Sequence, residues 1–130
     1  MSDKQCVNTK NAPAAIGPYS QAVVANGMVF TSGQVAMEPA TGELVSGGVE
    51  VQTRRVMENL SAVLTACGTS LEKVVKASIF LKDMNDFQVV NEVYGSYFSD
   101  GNPPARSTVQ VSRLPKDVDV EIDMVAIVAD

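Results

Sequence analysis

The residues best suited to chemistry lie in residues 104–111, a stretch that alternates like a β-strand. Arg106, Thr108 and Gln110 share one parity, so a strand would present a guanidinium, a hydroxyl and an amide on the same face. The donor fork of an arginine matches the two oxygens of a carboxylate, and a shielded contact of this kind contributes about 1.5 to 3 kcal/mol. The stretch is therefore a candidate binding site for a small carboxylate.

A second alternating stretch, residues 118–124, supplies an acidic side chain for the same site. Its apolar row is Val118, Val120, Ile122 and Met124, and its polar row is Asp119, Glu121 and Asp123. The short connection through Pro115 predicts a hairpin-like return, which would place Arg106 and Glu121 on the same face of neighbouring antiparallel strands. There Glu121 is suited to hold a water molecule or a proton. From spacing alone, the favoured interpretation is a cross-strand ion pair on a solvated face, which contributes about 0 to 1 kcal/mol.

Two loops earlier in the chain carry further candidates. Residues 12–21 contain two prolines and a glycine, so this segment cannot form a regular helix or an inner strand. Its Tyr19 is either a packed loop anchor or a residue of a cleft. Ser32 and Gly33 end a predicted strand, and a glycine there lets a ligand approach the backbone. A strand-ending turn is the simpler interpretation of this pair.

Two amphipathic helices are expected to support these loops and strands. Residues 49–67 carry apolar side chains with a 3.6-residue period, and Gly68 follows as a C-terminal cap. A second helix begins at Asn85, its predicted N-cap. The side chains it buries are Phe87, Val90, Tyr94, Tyr97 and Phe98. Asn91 falls on the same stripe, so its amide needs a partner: the end of a strand or, less favoured, a ligand in the cleft.

The order of these elements predicts a two-layer α+β domain that spans residues 1–130. The Asn26-Gly27 pair marks a hairpin, and residues 74–81 alternate as a strand between the two helices. The predicted inward side chains of that strand are Val75, Ala77, Ile79 and Leu81. Because strand-helix-strand crossovers are right-handed, both helices should lie on one face of a single sheet.

The opposite face of this sheet is left uncovered. Its apolar side chains are expected to be Met28, Phe30, Val74 and Phe80. The last strand also ends in residues 125–128, which have no polar alternation. A face of this kind is usually covered, so we expect the protein to be a homo-oligomer.

Composition narrows the class of protein. The chain has 130 residues, a net charge of −5, no histidine and only two cysteines, Cys6 and Cys67. The negative charge makes nucleic acid and anionic membranes unfavourable partners. Without histidine or a CxxC pattern, no metal site is indicated. The chain also lacks an apolar signal core and a membrane-length apolar run, so we expect a cytoplasmic protein with free thiols.

Three motifs resemble one known family. Residues 104–111 together with residues 120–122 are similar to the C-terminal signature of the reactive intermediate deaminase A family, RidA or YjgF. Residues 17–21 resemble the N-terminal motif of the family, and residues 31–34 resemble its Thr-Ser-Gly-Gln run. The resemblance covers nearly the whole chain. It implies a chorismate-mutase-like fold, with a mixed sheet and two helices on one face, and a homotrimer whose clefts lie between subunits.

The resemblance also implies an activity. Members of the family hydrolyse 2-imino acids and their enamine tautomers, which escape from pyridoxal-phosphate enzymes, to 2-keto acids and ammonia, without a cofactor or metal. By this resemblance Arg106 grips the substrate carboxylate and Glu121 places the water. The cleft would be lined by Tyr19, Ser32 and Gly33.

Two alternatives remain at this point. A module that binds small carboxylates without turnover would use the same Arg106. An endoribonuclease or translation inhibitor, as some relatives have been described, is disfavoured by the lack of histidine and the acidic composition.

One departure from the family is Thr108, where many relatives carry cysteine. Thiol-dependent behaviour therefore does not transfer to this chain, although the Thr108 hydroxyl is still available to a ligand.

Overall fold

A six-stranded mixed sheet with two α-helices on one face forms the fold in the computed structural model, which describes residues 3–128. The strands are β1 (Gln5–Val7), β2 (Ala22–Ala25), β3 (Met28–Thr31), β4 (Val74–Leu81), β5 (Ala105–Gln110) and β6 (Val120–Ile127). The helices are α1 (Val49–Ala66) and α2 (Phe87–Gly95), and short 3₁₀ turns cover Leu71–Lys73, Met84–Asp86 and Pro115–Asp117. The strand order is β1-β2-β3-β6-β4-β5, with β4 and β5 parallel and the other pairs antiparallel. The predicted two-layer α+β architecture is confirmed.

Local signals account for the first hairpin and for the long helix. Asn26 and Gly27 both have positive φ, 50° and 74°, as a tight turn between β2 and β3 requires. At the end of α1, the amide of Thr69 donates to the carbonyl of Leu64 (3.0 Å), and Gly68 adopts a φ of 83°. This is the hydrogen-bonding pattern of a glycine C-cap. Both predictions are confirmed.

The second helix is shorter than predicted and is capped differently. The carboxylate of Asp83, and not the side chain of Asn85, accepts a hydrogen bond from the Asn85 amide (2.9 Å). A 3₁₀ turn precedes α2, so the predicted N-cap at Asn85 is wrong. Phe87 is partly exposed, whereas Val90 and Tyr94 pack in the core. This exposure leaves the Phe87 ring available beside β5.

The predicted pairing of the last two strands is also wrong. β4 lies between β5 and β6 and pairs with both of them. Because α2 carries the chain from β4 to β5 as a crossover, β5 runs parallel to β4 at the edge of the sheet. β6 instead occupies the centre between β3 and β4, where its apolar row is fully buried.

This order places the two candidate catalytic residues on opposite faces of the sheet. Arg106 and Thr108 are in register with Ala77 and Ile79 of β4, which are buried beneath the helices. Glu121 is paired with Phe80, which points to the other face because it alternates with Ile79. The expectation that Arg106 and Glu121 share a face is therefore corrected.

The face without helices, which we call the open face, is broadly apolar. A β-bulge between Val74 and Lys76 shifts the alternation of β4, so that Val74 is 5% exposed and Val75 is 37% exposed. The predicted inward Val75 and outward Val74 are therefore exchanged. Large apolar side chains on the open face are Met28, Phe30, Phe80, Val109, Val125 and Ile127. No helix within residues 3–128 has the length and apolar composition needed to cross a membrane.

Candidate active site

The Arg106 side chain is held in a fixed position at the edge of the sheet. Its Nη1 donates a hydrogen bond to Asn91 Oδ1 on α2 (2.7 Å). Its Cζ lies 5.1 Å from the centre of the Tyr94 ring and 5.7 Å from the centre of the Phe87 ring. Contacts between a guanidinium and aromatic rings at these distances are attractive. The helix thus orients the guanidinium in advance of any ligand.

The charge of Arg106 is not neutralised within the part of the chain that the structure describes. The arginine ion pairs found there belong to Arg54, Arg55 and Arg113. Arg106 also uses one nitrogen for Asn91, which leaves its other donors for an anion. The arrangement fits a planar carboxylate better than a solvated surface pair.

Two buried hydroxyls accompany this guanidinium. Thr108 Oγ1 and Tyr94 Oη have no hydrogen-bond partner among the described residues. Burial raises the pKa of the Tyr94 hydroxyl, and the charge of Arg106 opposes that rise. Buried polar atoms nearly always bond to something, so both hydroxyls have capacity for a ligand or a water molecule. An adjoining groove of about 500 Å³ is lined by Asn91, Tyr94, Phe98, Pro103, Pro104 and Arg106, and we call it the Arg106 groove.

Glu121 belongs to a different pocket. This cavity of about 340 Å³, the Glu121 pocket, lies at the end of the sheet where β3 leaves it. Its polar and turn residues are Tyr19, Ser32, Gly33, Pro115, Lys116 and Glu121. Apolar side chains including Val35 and Met37 complete the wall.

Gly33 determines where the Glu121 side chain can lie. A Cβ atom at position 33 would overlap the Glu121 carboxylate and would lie 2.8 Å from its Cδ. The glycine therefore lets the carboxylate rest directly against the backbone. Burial raises the pKa of Glu121, and the negative charge of Asp123 raises it further. The environment therefore stabilises the protonated form of Glu121 relative to a glutamate in water.

The two loop residues predicted beside this pocket are both present. Ser32 Oγ donates to the carbonyl of Ser20 (2.6 Å), and its amide donates to the carbonyl of Gln21 (2.9 Å). The Ser32 hydroxyl proton is thus committed to the backbone. Tyr19 is half-exposed at the pocket mouth, and its hydroxyl accepts a long hydrogen bond from the amide of Ile16 (3.4 Å).

Sequence reasoning missed the one lysine of the Glu121 pocket, Lys116. Lys116 lines the cavity from a turn in which both Lys116 and Asp117 have positive φ, 57° and 56°. Arg113 braces that turn through two hydrogen bonds to Asp117 (2.7 and 3.1 Å). The short length of this segment and its Pro115 predicted a hairpin-like return and no site residue. Nothing in its sequence pattern marks a lysine in the left-handed region.

The predicted site residues therefore form two clusters. Asn91, Arg106 and Thr108 meet on the helix-covered face at the β5 edge. The other cluster consists of Tyr19, Ser32, Gly33 and Glu121. Within one chain the clusters lie on opposite faces of the sheet. Among residues 3–128, no group of three or more acidic, cysteine or histidine side chains is arranged to hold a metal ion.

A mixed sheet with two helices on one face, a pre-oriented arginine and a partly buried glutamate define an α+β protein with clefts for small molecules. Residues 9–128 match the family described as Endoribonuclease L-PSP, and the chain belongs to this family, which includes the RidA proteins. The resemblance noted in the sequence is thereby confirmed.

Individual relatives agree with this assignment along most of their length. A RutC family protein of Synechocystis is 55% identical over 93% of this chain and 94% of its own. Human 2-iminobutanoate/2-iminopropanoate deaminase is 45% identical over 95% of this chain and 90% of its own.

Solved structures confirm the fold. A putative endoribonuclease from Thermotoga maritima has a TM-score of 0.92 at 52% identity, covering 97% of this chain and 98% of its own. TdcF of Escherichia coli, solved with bound serine, has a TM-score of 0.91 at 44% identity, covering 96% of this chain and 99% of its own.

Proposed function

We propose that this protein is a deaminase that hydrolyses reactive 2-imino acids, and their enamine tautomers, to 2-keto acids and ammonia. The observation that carries the proposal is the Arg106 guanidinium, held by Asn91 and two aromatic rings yet without a carboxylate partner in the described residues. It offers an anchor for the carboxylate of such a substrate. Two relatives support this choice: the human one is named a deaminase of 2-imino acids, and TdcF was solved with serine, which carries the same carboxylate.

Imine hydrolysis requires few catalytic groups from the protein. The carbon of an imine is already electrophilic, so water adds to it once substrate and water are held together. Glu121 as a carboxylate accepts a proton from the attacking water, and as an acid it returns a proton to the nitrogen. The C–N bond of the resulting carbinolamine then breaks, which leaves a 2-keto acid and ammonia. We assign no cofactor or metal to this sequence of steps.

Other residues of the two clusters are proposed to bind the substrate. Backbone groups at Ser32 and Gly33 orient the imine nitrogen, and Tyr19 covers the cleft. Thr108 offers its buried hydroxyl to the substrate, and Asn91 holds Arg106 in place. Tyr19, Ser32 and Gly33 line the Glu121 pocket, and Asn91 lines the Arg106 groove. Thr108 follows Arg106 by two residues on the same face of β5.

We further propose that the active protein is a homotrimer with its clefts between subunits. Arg106 and Glu121 lie on opposite faces of the sheet, so a site that uses both takes each from a different copy of the chain. The exposed apolar open face offers a surface for that assembly. Each copy would contribute residues 1–130 as one domain. A cytoplasmic location is proposed because Cys6 and Cys67 are unpaired thiols, as is usual in a reducing compartment.

The test is release of ammonia and keto acid from 2-iminobutanoate or 2-aminoacrylate, generated in place by a coupled pyridoxal-phosphate enzyme. Wild type should accelerate the release. Arg106→Ala should lose about 10-fold or more in kcat/KM, since a charge-assisted contact contributes about 1.5 to 3 kcal/mol. Arg54→Ala is the matched control, because Arg54 pairs with Glu50 on the exposed surface of α1.

The variants also separate an enzyme from a binding protein. Glu121→Gln should retain binding of a keto acid, measured by calorimetry, and lose turnover. Full activity in Arg106→Ala would show that the anchor is assigned wrongly. No acceleration by well-folded wild type, together with binding that depends on Arg106, would instead support a carboxylate-binding protein without turnover.

A further inference from the structure

A second cavity adjoins the Glu121 pocket at Tyr19. This groove of about 840 Å³, which we call the Gln21 groove, is lined by Lys10, Ala14, Tyr19, Gln21 and Ala40, together with neighbouring residues of the same loops. Tyr19 also lines the Glu121 pocket, so its half-exposed ring is a wall that the two cavities share. Apart from Tyr19, no residue of the Gln21 groove has a part in the reaction as proposed above.

A buried side chain fixes the shape of this groove. Gln21 is 2% exposed, and its Nε2 donates to the carbonyls of Thr9 (3.0 Å) and Pro13 (2.7 Å). Its Oε1 accepts from the amide of Thr9 (2.6 Å), and its backbone amide donates to Asn8 Oδ1 (3.2 Å). Both ends of the carboxamide are therefore used to tie residues 8–13 to the start of β2. The groove is formed before any ligand binds, as ligand cavities usually are.

The Tyr19 ring is supported from the side of the loop backbone. The Tyr19 amide donates to the carbonyl of Gly17 (2.8 Å), and a Cβ atom at Gly17 would lie 3.5 Å from the ring. The ring nevertheless remains half-exposed where the two cavities meet. It therefore offers an aromatic surface to a ligand that extends from one cavity into the other.

The substrate of the proposed reaction has one substituent that is still without a place. An imine carbon carries a carboxylate, a nitrogen and a side chain. Arg106 is assigned to the carboxylate, and Glu121 and the backbone near Gly33 are assigned to the nitrogen and the water. The Glu121 pocket, at about 340 Å³, has room for the short side chain of 2-iminobutanoate. A longer side chain extends away from the reacting carbon, and the Gln21 groove is a cavity that shares a wall with this pocket.

The lining of the groove favours an uncharged, flat side chain. Small apolar residues accompany the Tyr19 ring, and they are Ala12, Ala14, Ala15, Pro39 and Ala40. The polar atoms of Gln21 are already hydrogen-bonded within the protein. Among the described residues that line the groove, only Lys10 carries a charge, and Lys10 is exposed, so its ammonium can stay in water.

We propose that the Gln21 groove is a subsite for the side chain of the substrate and that it admits 2-imino acids with an aromatic side chain, which lies against the Tyr19 ring. This inference rests on the proposed function, because it extends the substrates of the same site from small to aromatic 2-imino acids. Gln21 shapes the groove and does not touch the reacting atoms.

The first experiment measures binding and does not depend on turnover. Calorimetry compares phenylpyruvate with 2-oxobutanoate, the keto acids that correspond to an aromatic and a small substrate. The proteins are wild type, Ala40→Leu, which fills part of the groove, and Ala66→Leu. Ala66 is exposed at the end of α1 and does not line the groove, so it receives the same substitution as a control. Ala14→Leu fills the groove from a different segment of the chain and replaces Ala40→Leu if that variant does not fold.

Ala40→Leu should weaken binding of phenylpyruvate relative to 2-oxobutanoate by about 10-fold, because extra methylenes in a fitted site are poorly accommodated. Ala66→Leu should leave this ratio unchanged. An unchanged ratio in Ala40→Leu would overturn the proposal. Tighter binding of 2-oxoglutarate than of phenylpyruvate, lost in Lys10→Met, would show that the groove selects an acidic side chain and would also overturn it.

The second experiment measures kcat/KM for two imines made in place by an amino acid oxidase with catalase, one from phenylalanine and one from 2-aminobutanoate. Wild type should accelerate hydrolysis of both, and the ratio of the aromatic to the small substrate should fall about 10-fold in Ala40→Leu. Acceleration of the small imine alone by wild type would overturn the subsite and leave the proposed function intact. Groove-dependent binding of phenylpyruvate by a protein that accelerates neither reaction would count against the proposed function and not against the subsite.

Discussion

Gly33 shows how one absent side chain positions another residue. The Glu121 carboxylate rests against the backbone at a point that a Cβ atom would occupy. Arg106 is positioned in the opposite way, by the side chains of Asn91, Tyr94 and Phe87 that surround it. At the residue scale, Glu121 is positioned by the absence of a side chain at Gly33, whereas Arg106 is positioned by direct side-chain contacts.

Gly33→Ala is therefore expected to displace Glu121 without unfolding the protein, since the overlap is with the end of a flexible side chain. The value of kcat for imine hydrolysis should fall by about 100-fold or more, as for loss of a positioned acid-base group. KM should change little because Arg106 lies elsewhere. Gly48→Ala is the control, because its added Cβ meets no atom within 4 Å. Equal kcat in the two variants would contradict this account of Gly33.

Glu121 also makes stability depend on pH. Its pKa lies above the ordinary value of 4.5 in the folded protein, so the folded state binds the proton more tightly than the unfolded chain does. The contribution of this group to the free energy of unfolding is complete below the unfolded pKa, and it is lost as pH rises through the raised folded pKa. The sign is therefore a loss of stability with rising pH.

The measurement is urea unfolding of wild type and Glu121→Gln at a fixed protein concentration, from about pH 4 to about pH 7. The glutamine mimics the protonated form at every pH. Wild type should lose stability relative to Glu121→Gln as pH rises across this range. A difference between the two that stays constant with pH would show that the Glu121 pKa is not raised.

At the scale of elements, α1 ends where its sequence requires it to end. Gly68 has a φ of 83°, and the chain turns back after it through the bond between Thr69 and Leu64. A residue with a Cβ atom is strained in this conformation. The helix must end here because the next residues return the chain to β4 in the sheet.

Gly68→Ala should lower the free energy of unfolding by about 1 to 2 kcal/mol, measured by urea unfolding. Gly95→Ala is a matched comparison with the opposite sign. Gly95 lies in α2, its φ is not positive, and its added Cβ meets no atom within 4 Å. Alanine there should stabilise the protein by roughly 0.5 to 1 kcal/mol. Equal effects of the two changes would exclude a special role for the Gly68 conformation.

At the scale of the whole molecule, the open face is the surface that we propose is buried on assembly. Phe30 on β3 is 48% exposed, and Ile127 on β6 and Val109 on the edge strand β5 are similarly exposed. The helix side of the sheet is already filled. A second copy of the chain is the proposed cover.

Phe30→Lys should therefore shift the protein toward monomers, because it places a charge on a face that must lose its water on assembly. Val51→Lys is the control: Val51 is 45% exposed on α1, away from the open face. Sedimentation velocity at matched concentrations measures both variants. A Phe30→Lys protein that sediments like wild type would place the interface elsewhere. Imine hydrolysis should fall together with assembly if each site draws residues from two copies.

The sequence by itself determined the local parts of this protein. The Asn26-Gly27 turn, the α1 helix with its Gly68 stop and the alternation of β6 were all predictable, because each depends on residues close together in the chain. The family motifs also pointed to the residues of both clusters. These signals act over a few residues, so tertiary packing did not override them.

Only the tertiary structure decided which strands are neighbours and which faces the site residues occupy. β6 pairs with β3 and β4 rather than with β5. Strand pairing depends on residues far apart in the chain, so a short connection between two strands does not by itself make them neighbours. A single bulge exchanged Val74 and Val75 between faces, because alternation has a period of two. Arg106 and Glu121, which the predicted hairpin placed on one face, lie on opposite faces because they pair with residues of opposite parity on β4, Ala77 and Phe80.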